Sequence, residues 1–281
     1  MLFNYLKITF RNLSRNKTFS FINIFGLAAG LATCLLIMLY IKDEPEFHKH
    51  HKDADQLYLI ASVTSNGESC AAAPAPMAFA LKNDLPEVVE ATRLFTFPDI
   101  KTLTLKVKLP TQTIQFMERE GYYVDSTFFR VLTYDFKYGN PATALNNPNS
   151  IVISGQIAGK FFGNENPVGR TMVVVTPFGE MNYTVNGVFD NTKHKSHIGA
   201  NFFLSMRNTD MANFVDRQTS WVSNNIFYTY IKTKAGTQQA AFEKKLDNWF
   251  QGRAGADLKA AGFGKTLFLQ PAKDIYLHST I

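Results

Sequence analysis

Residues 19–41 form a run of 23 residues without a charged side chain. An α-helix rises about 1.5 Å per residue, so a helix over this run would be about 34 Å long and would cross a hydrocarbon core of about 30 Å with some tilt. A secretory signal has a shorter apolar region, of about 7–15 residues, followed by a small-residue cleavage site. This run instead ends in LYIKDE at residues 39–44. It therefore predicts a retained transmembrane helix.

The flanking charges predict the direction of this helix. The segment 1–18 contains no acidic side chain and four basic ones, Lys7, Arg11, Arg15 and Lys17. By the positive-inside rule the N-terminus is cytoplasmic, and the domain after the helix, residues 46–281, lies across the membrane. No second apolar run is long enough to cross a bilayer, so we expect a single span.

The basic excess of the chain is local. Of the formal net charge of +6, the segment 1–18 supplies four units, which leaves 25 basic and 23 acidic side chains in the rest of the chain, a net of +2. Charge placed next to a bilayer predicts contact with membrane lipid, not with nucleic acid. At about 100° per residue, one side of a helix over this segment is apolar and another is basic, which favours an interfacial helix. A disordered basic tail that only sets topology is the alternative.

The membrane helix contains a GxxxG pattern at Gly26 and Gly30. Small residues at this spacing let a second helix approach closely, so this face is expected to pack on another span. Glycine is also common in membrane helices, and the pattern alone leaves both interpretations open.

The domain at 46–281 is predicted to have an α+β fold, a mixed α/β domain of two lobes, because strand and helix patterns alternate along its whole length. Strands are expected at 55–63, 150–154, 171–175, 183–189, 225–232 and 265–270, a hairpin at 102–116, and helices at 75–85, 158–162 and 238–250.

Side chains with catalytic or ligand-binding potential do not form a convincing site. The GKT sequence at 264–266 lacks the first glycine of a nucleotide-binding loop, because Lys259 stands there, and a strand is expected after it. Asp190, Ser196 and His197 have the residue types of a hydrolase triad but no Gly-x-Ser-x-Gly turn. We therefore predict no catalytic residue and no cofactor in this chain.

Metal ligands and disulfides are not expected either. Three histidines at 48, 50 and 51 lie beside the predicted span without a second ligand cluster, so a solvated polar segment is favoured over a metal site. Cys34 lies inside the span and Cys70 outside it, so the two cannot pair within one chain.

Several motifs, in order along nearly the whole chain, carry a resemblance to a known family. They are NL at 12–13, NKTFSFINIFGL at 16–27 with Gly30, VDSTFF at 124–129, GNP at 139–141, SIVIS at 150–154, KFFGNENPVGR at 160–170, YTVNGV at 183–188, SHI at 196–198 and DIYLHS at 274–279. The sequence resembles the first membrane helix and the periplasmic core domain of MacB/FtsX-type ABC transporter permeases of Bacteroidetes-like bacteria. We interpret the motifs as turn, bend and core residues of that domain, not as catalytic ones.

The resemblance implies a component of the bacterial inner membrane that works with a separate ABC ATPase, which binds the ATP. It also implies a second permease copy in a dimer, a periplasmic adaptor protein, and export of peptide, lipoprotein or lipid-linked cargo. Such permeases have three further membrane helices, so we interpret the sequence as a fragment, a truncated copy or one half of a split gene. Pro45 departs from the family pattern after the span and would interrupt a continuing helix.

Two alternatives to a permease component stay open at this point. The first is a single-pass sensor or binding module, against which the cytoplasmic segment at 1–18 is short for a signalling domain. The second is a membrane-anchored hydrolase, which would need the catalytic constellation that the sequence lacks.

Overall fold

The described part of the chain, in a computed structural model, comprises residues 8, 11, 15–43, 53–97, 100, 102–192, 196–207 and 209–275. The chain divides into two units, Met1–Glu46 and Phe47–Ile281. The first unit contains helix α1 (Lys17–Asp43). A helix is therefore present where the sequence predicted the transmembrane helix, and it extends by two positions beyond the uncharged run at each end.

The second unit is built from helices and strands in alternation. Its helices are α2 (Met77–Asp84), α3 (Phe128–Val131), α4 (Gly155–Phe162), α5 (Thr209–Asp216) and α6 (Gln239–Ala260). Its strands are β1 (Leu57–Thr64), β2 (Ser69–Cys70), β3 (Ala72–Ala73), β4 (Val88–Phe95), β5 (Thr102–Lys108), β6 (Thr113–Arg119), β7 (Gly121–Val124), β8 (Phe136–Gly139), β9 (Ser150–Ser154), β10 (Thr171–Thr176), β11 (Gly179–Phe189), β12 (Phe202–Ser205), β13 (Phe227–Thr233) and β14 (Lys265–Pro271).

These strands belong to one sheet with the main order β14-β1-β13-β4-β7-β12-β9-β11-β10-β5-β6. Three short strands lie outside this order: β2 pairs with β1, β3 pairs with β13 and β8 pairs with β11. Neighbours along the main order are antiparallel except for β7 with β12 and β9 with β11, which are parallel. The predicted mixed α/β fold is thereby confirmed, whereas its division into two lobes stays a prediction.

Three clusters of buried side chains form the core. One lies between α2, α6 and the strands β1, β13 and β14. A second lies where α4 packs near β5, β9, β10 and β11. The third is rich in aromatic rings, with Phe203 within 5.5 Å, centroid to centroid, of Phe128, Phe129, Tyr134 and Phe189. The VDSTFF motif therefore anchors the core, as the sequence predicted.

Two glycines of the sequence motifs meet specific backbone requirements. Gly169 has φ of +88° in the bend before β10, a region that favours glycine. At Gly187 the pairing of β11 with β9 shifts register, and a Cβ built on this residue would lie 2.4 Å from the Phe136 ring. Gly187 therefore lies at a β-bulge, with the Phe136 ring where a side chain would otherwise stand.

Candidate functional site

The membrane helix presents an apolar surface all round. The stretch Lys17–Leu39 has a mean hydropathy of 2.2, and none of its side chains is buried. Phe19, Leu27 and Leu39 are each more than 60% exposed. Such a surface is stable in lipid or against other apolar helices and not in water. By length and composition, α1 can cross a membrane.

Gly26 and Gly30 lie on this helix with open space around them. A Cβ built on either glycine would meet no atom within 4 Å. The nearby Thr33 hydroxyl donates to the Ala29 carbonyl at 2.9 Å, so this polar side chain has a partner within its own helix. The face is accessible, and its packing on a second span stays a prediction.

The basic residues before the span are described in part. Arg15 and Lys17 are exposed, and Arg11 is exposed and helical. Lys7 lies outside the described residues, as do the three histidines and most of the predicted interfacial helix. Lipid contact by this segment stays a prediction.

The outer domain contains one buried ion pair, between Arg93 on β4 and Asp125 after β7, among its described residues. Both residues are 6% exposed. Two hydrogen bonds connect the side chains, from Arg93 Nε to Asp125 Oδ2 at 3.0 Å and from Nη2 to Oδ1 at 2.8 Å. This bidentate geometry is the strong form of an arginine–carboxylate contact. It joins two neighbouring strands at the centre of the sheet.

Further contacts complete the environment of this pair. The backbone N–H of Arg93 also donates to Asp125 Oδ2 at 2.8 Å, and Arg93 Nη1 donates to the Ala75 carbonyl at 2.9 Å. The guanidinium carbon lies 4.5 Å from the ring centroid of Phe79 on α2. A cavity of about 370 Å³ opens beside the pair. Because the guanidinium charge is paired with Asp125 and each of its three nitrogens donates within the protein, we interpret the arrangement as one that positions α2, β4 and β7.

The candidate triad residues each bond to a neighbouring structural group. Asp190 Oδ1 accepts hydrogen bonds from the Thr192 N–H at 2.9 Å and from its hydroxyl at 2.6 Å. His197 Nε2 lies 2.5 Å from the hydroxyl of Tyr230, which is 3% exposed, and burial raises the pKa of that hydroxyl. Ser196 Oγ accepts from the Ile198 N–H at 3.2 Å. Each side chain has a local structural partner.

The GKT sequence also has a structural role. Lys265 begins strand β14, so the expected strand is confirmed and a phosphate-binding helix does not follow it. Lys265 Nζ donates to Asn225 Oδ1 at 3.1 Å, and burial lowers the pKa of this ammonium group. Within the described part of the chain, no group of three His, Cys, Asp or Glu side chains could hold a metal ion.

The long apolar helix followed by a mixed α/β domain defines a membrane-anchored outer domain. The sequence profile of the MacB-like periplasmic core domain matches residues 20–249. The chain therefore belongs to this family, whose members are periplasmic domains of ABC transporter permeases. A comparison with curated protein sequences gives no match.

Three solved structures align with most of this chain. A domain assigned to a permease protein from Porphyromonas gingivalis aligns with a TM-score of 0.63 and 17% identity, over 80% of this chain and 92% of that one. The periplasmic region of MacB from Actinobacillus actinomycetemcomitans aligns with a TM-score of 0.49 and 16% identity, over 77% and 90% of the two chains. The extracellular domain of the noncanonic ABC-type transporter YknZ from Gram-positive bacteria gives 0.48 and 14%, over 76% and 99%.

Proposed function

We propose that this chain is the N-terminal part of an ABC transporter permease that transmits movement across the bacterial inner membrane. A separate ATPase subunit binds and hydrolyses ATP in the cytoplasm, and α1 carries the resulting displacement to the outer domain. The domain then extrudes or exports peptide, lipoprotein or lipid-linked cargo. The observation that carries this proposal is a long apolar helix that lies in one chain with a MacB-like periplasmic core domain and within the same family match.

The basic segment before the span supports a cytoplasmic N-terminus. Arg15 and Lys17 are exposed, and Lys17 begins α1. Cationic side chains at this position favour the cytoplasmic side and the anionic lipid headgroups there. With Lys7 and Arg11 they place a contact surface for lipid and for the ATPase next to the membrane.

The open face at Gly26 and Gly30 supports a further helix contact. Close packing of small residues is one of the interactions that drive helix association in lipid. We assign this face to another span of the assembly, either of a second permease copy or of the same permease. An adaptor protein on the periplasmic side completes the proposed assembly. The chain itself is proposed to have no enzymatic activity and to hold no cofactor.

Site-specific photo-cross-linking in membranes tests this proposal. A photoreactive amino acid in place of Lys17 is expected to capture an ATPase that contains a nucleotide-binding loop. Capture is expected both in membranes treated with ADP·vanadate and in nucleotide-free membranes. The same amino acid at Lys244, an exposed position on α6, is the matched control and should capture no cytoplasmic protein. Capture of the ATPase from Lys244 and not from Lys17 would contradict the orientation, and capture from neither would contradict the ATPase partnership.

A further inference from the structure

The two edge strands of the sheet, β14 and β6, differ in what covers their outer backbone groups. Strand β14 is covered by a helix. Four side chains spaced four positions apart along one face of α6 lie against the outer edge of β14. They are Gln239, Glu243, Asp247 and Gln251. Their hydrogen bonds run from Gln239 Nε2 to Leu269 O at 3.1 Å, from Leu269 N to Glu243 Oε1 at 3.0 Å, from Leu267 N to Asp247 Oδ1 at 3.0 Å and from Gln251 Nε2 to Lys265 O at 2.7 Å. These bonds satisfy backbone groups that would otherwise pair with a further strand.

The opposite end of the sheet, strand β6, has no such cover in the part of the chain that the structure describes. β6 pairs with β5 along its whole length and ends the main strand order. Its two central side chains are apolar and exposed, Phe116 by 44% and Met117 by 71%. They point to opposite faces of the sheet, because side chains alternate along a strand. An open strand edge with apolar side chains on both faces favours addition of another strand.

The backbone alternation identifies the residues that face the open edge. At the hairpin turn, the Leu109 N–H donates to the Gln112 carbonyl at 2.8 Å. In an antiparallel pair, residues alternate between hydrogen-bonded and non-hydrogen-bonded positions. Even-numbered residues of β6 therefore bond to β5, and the backbone groups of 113, 115, 117 and 119 point away from the sheet.

We propose that β6 pairs antiparallel with β6 of a second copy of this chain, about a two-fold axis at Phe116. This inference rests on the proposed function, because it names how the outer domains of two permease copies meet. Among two-fold arrangements, only an axis at residue 116 pairs every residue of the strand. The rings of the two Phe116 residues then lie directly opposite, and the two Met117 side chains are diagonal neighbours across the axis.

The side-chain order of β6 is compatible with this self-pairing. Residues opposite each other in the paired strands are Thr113 with Arg119, Ile114 with Glu118 and Gln115 with Met117. No like charges stand opposite each other, and Glu118 is already bonded to Lys160 Nζ at 2.7 Å within its own domain. Phe116 packs edge-on against Phe161 of α4, with ring centroids 5.3 Å apart. The pairing would therefore place the Phe116 ring of the second copy next to the apolar contact between Phe116 and Phe161.

One pair of short strands is a small interface. Interfaces below about 1,200 Å² belong to weak or transient complexes. Anchoring both copies in one membrane raises their effective concentration, so that a weak contact can be occupied. The proposed pairing is accordingly a contact of the membrane-bound protein.

Disulfide cross-linking of the full chain in membranes tests this pairing. In the background Cys34→Ala/Cys70→Ala, Phe116→Cys places two thiols at a non-hydrogen-bonded pair with Cα atoms about 4.5 Å apart, within the range of about 4.4–6.8 Å that a disulfide spans. Mild oxidation is expected to give a covalent dimer. The control is Phe178→Cys, an aromatic residue of similar exposure, 40%, at another hairpin turn, and it should stay monomeric.

Two substitutions at the neighbouring position separate backbone pairing from simple proximity. Met117→Pro removes an N–H that faces the open edge and leaves the bonds to β5 in place. Met117→Thr removes the same side chain but keeps the N–H. In the Phe116→Cys background, the proline variant is expected to lower the dimer yield about tenfold because two edge hydrogen bonds are lost, and the threonine variant to keep most of it.

Two outcomes would overturn the pairing. One is absence of a dimer from Phe116→Cys, and the other is equal yields from the proline and threonine variants. If the ATPase is still captured from Lys17 in the same membranes, the edge pairing fails while the proposed function stands. If Phe116→Cys gives a dimer but the ATPase is not captured from Lys17, the strand pairing stands and the proposed transporter function fails.

Discussion

Replacing Arg93 by leucine is expected to lower the free energy of unfolding of the outer domain by about 3–5 kcal/mol, the usual cost of leaving one charge of a buried pair without its partner. Asp125 would keep its backbone hydrogen bond from residue 93 but lose both bonds from the guanidinium. The Ala75 carbonyl would lose its donor as well. Only backbone hydrogen bonds between residues 93 and 125 and apolar packing would then hold the two strands and α2 together at this point.

Denaturant unfolding of the full chain in detergent measures this loss. Both tryptophans of the protein, Trp221 and Trp249, lie in the outer domain, so that tryptophan fluorescence reports its unfolding. The matched control is Arg170→Leu, which removes an arginine from an ion pair whose two side chains are 52% and 66% exposed. Exposed pairs contribute little to stability, so the control should unfold as the unsubstituted protein does. Equal midpoints for both variants would contradict the structural role assigned to Arg93.

Gly139→Ala is expected to have the second large effect, a loss of about 2–5 kcal/mol, from left-handed backbone strain combined with overlap. Gly139 ends β8 with φ of +86°, and a Cβ there would lie 2.3 Å from the Asn186 carbonyl oxygen and 2.8 Å from the Gly187 Cα. Both contacts are with the backbone of β11, which cannot move without disturbing the centre of the sheet.

Gly262→Ala separates the two causes. Gly262 has a similar φ of +79°, but a Cβ there would meet no atom within 4 Å. Only the backbone strain applies, about 1–2 kcal/mol. The same fluorescence measurement should therefore rank Gly139→Ala well below Gly262→Ala in stability. Equal losses would show that β8 and β11 approach less closely than described.

The sequence predicted the elements with strong local patterns. Helix α1 follows from the uncharged run at 19–41, and the hairpin β5–β6 follows from alternation at Leu103, Leu105 and Val107. By contrast, β4 (VVEATRLF) was not predicted, because Glu90 and Arg93 interrupt its apolar pattern. The short strands β7, β8 and β12 give too little sequence for a periodic signal.

Helix α6 was predicted to end at residue 250 but continues to Ala260. Gly252 and Gly255 weaken the local preference for a helix. Tertiary packing outweighs that preference, since Ala254 and Leu258, four and eight positions after Phe250, are buried on the same face. This extra length also carries Gln251, the last residue of the row that covers β14.

The proposed site residues divide in the same way. Lys7, Arg11, Arg15, Lys17, Gly26 and Gly30 follow from general rules of membrane insertion and helix packing. The Arg93–Asp125 pair could not be predicted, because its two residues are 32 positions apart and meet only after β4 and β7 have paired. A charged residue inside an otherwise apolar stretch was the one available signal for Arg93.

The most direct test of the central claim is a distance measurement between two outer domains in membranes that contain the partner ATPase. A spin label at Lys244→Cys, in the background Cys34→Ala/Cys70→Ala, reports the separation of the α6 helices of two copies. Trapping the ATPase with ADP·vanadate is expected to shift this distance distribution relative to nucleotide-free membranes, since the chain is proposed to transmit movement. An identical distribution in the two states, with the ATPase bound, would contradict that account.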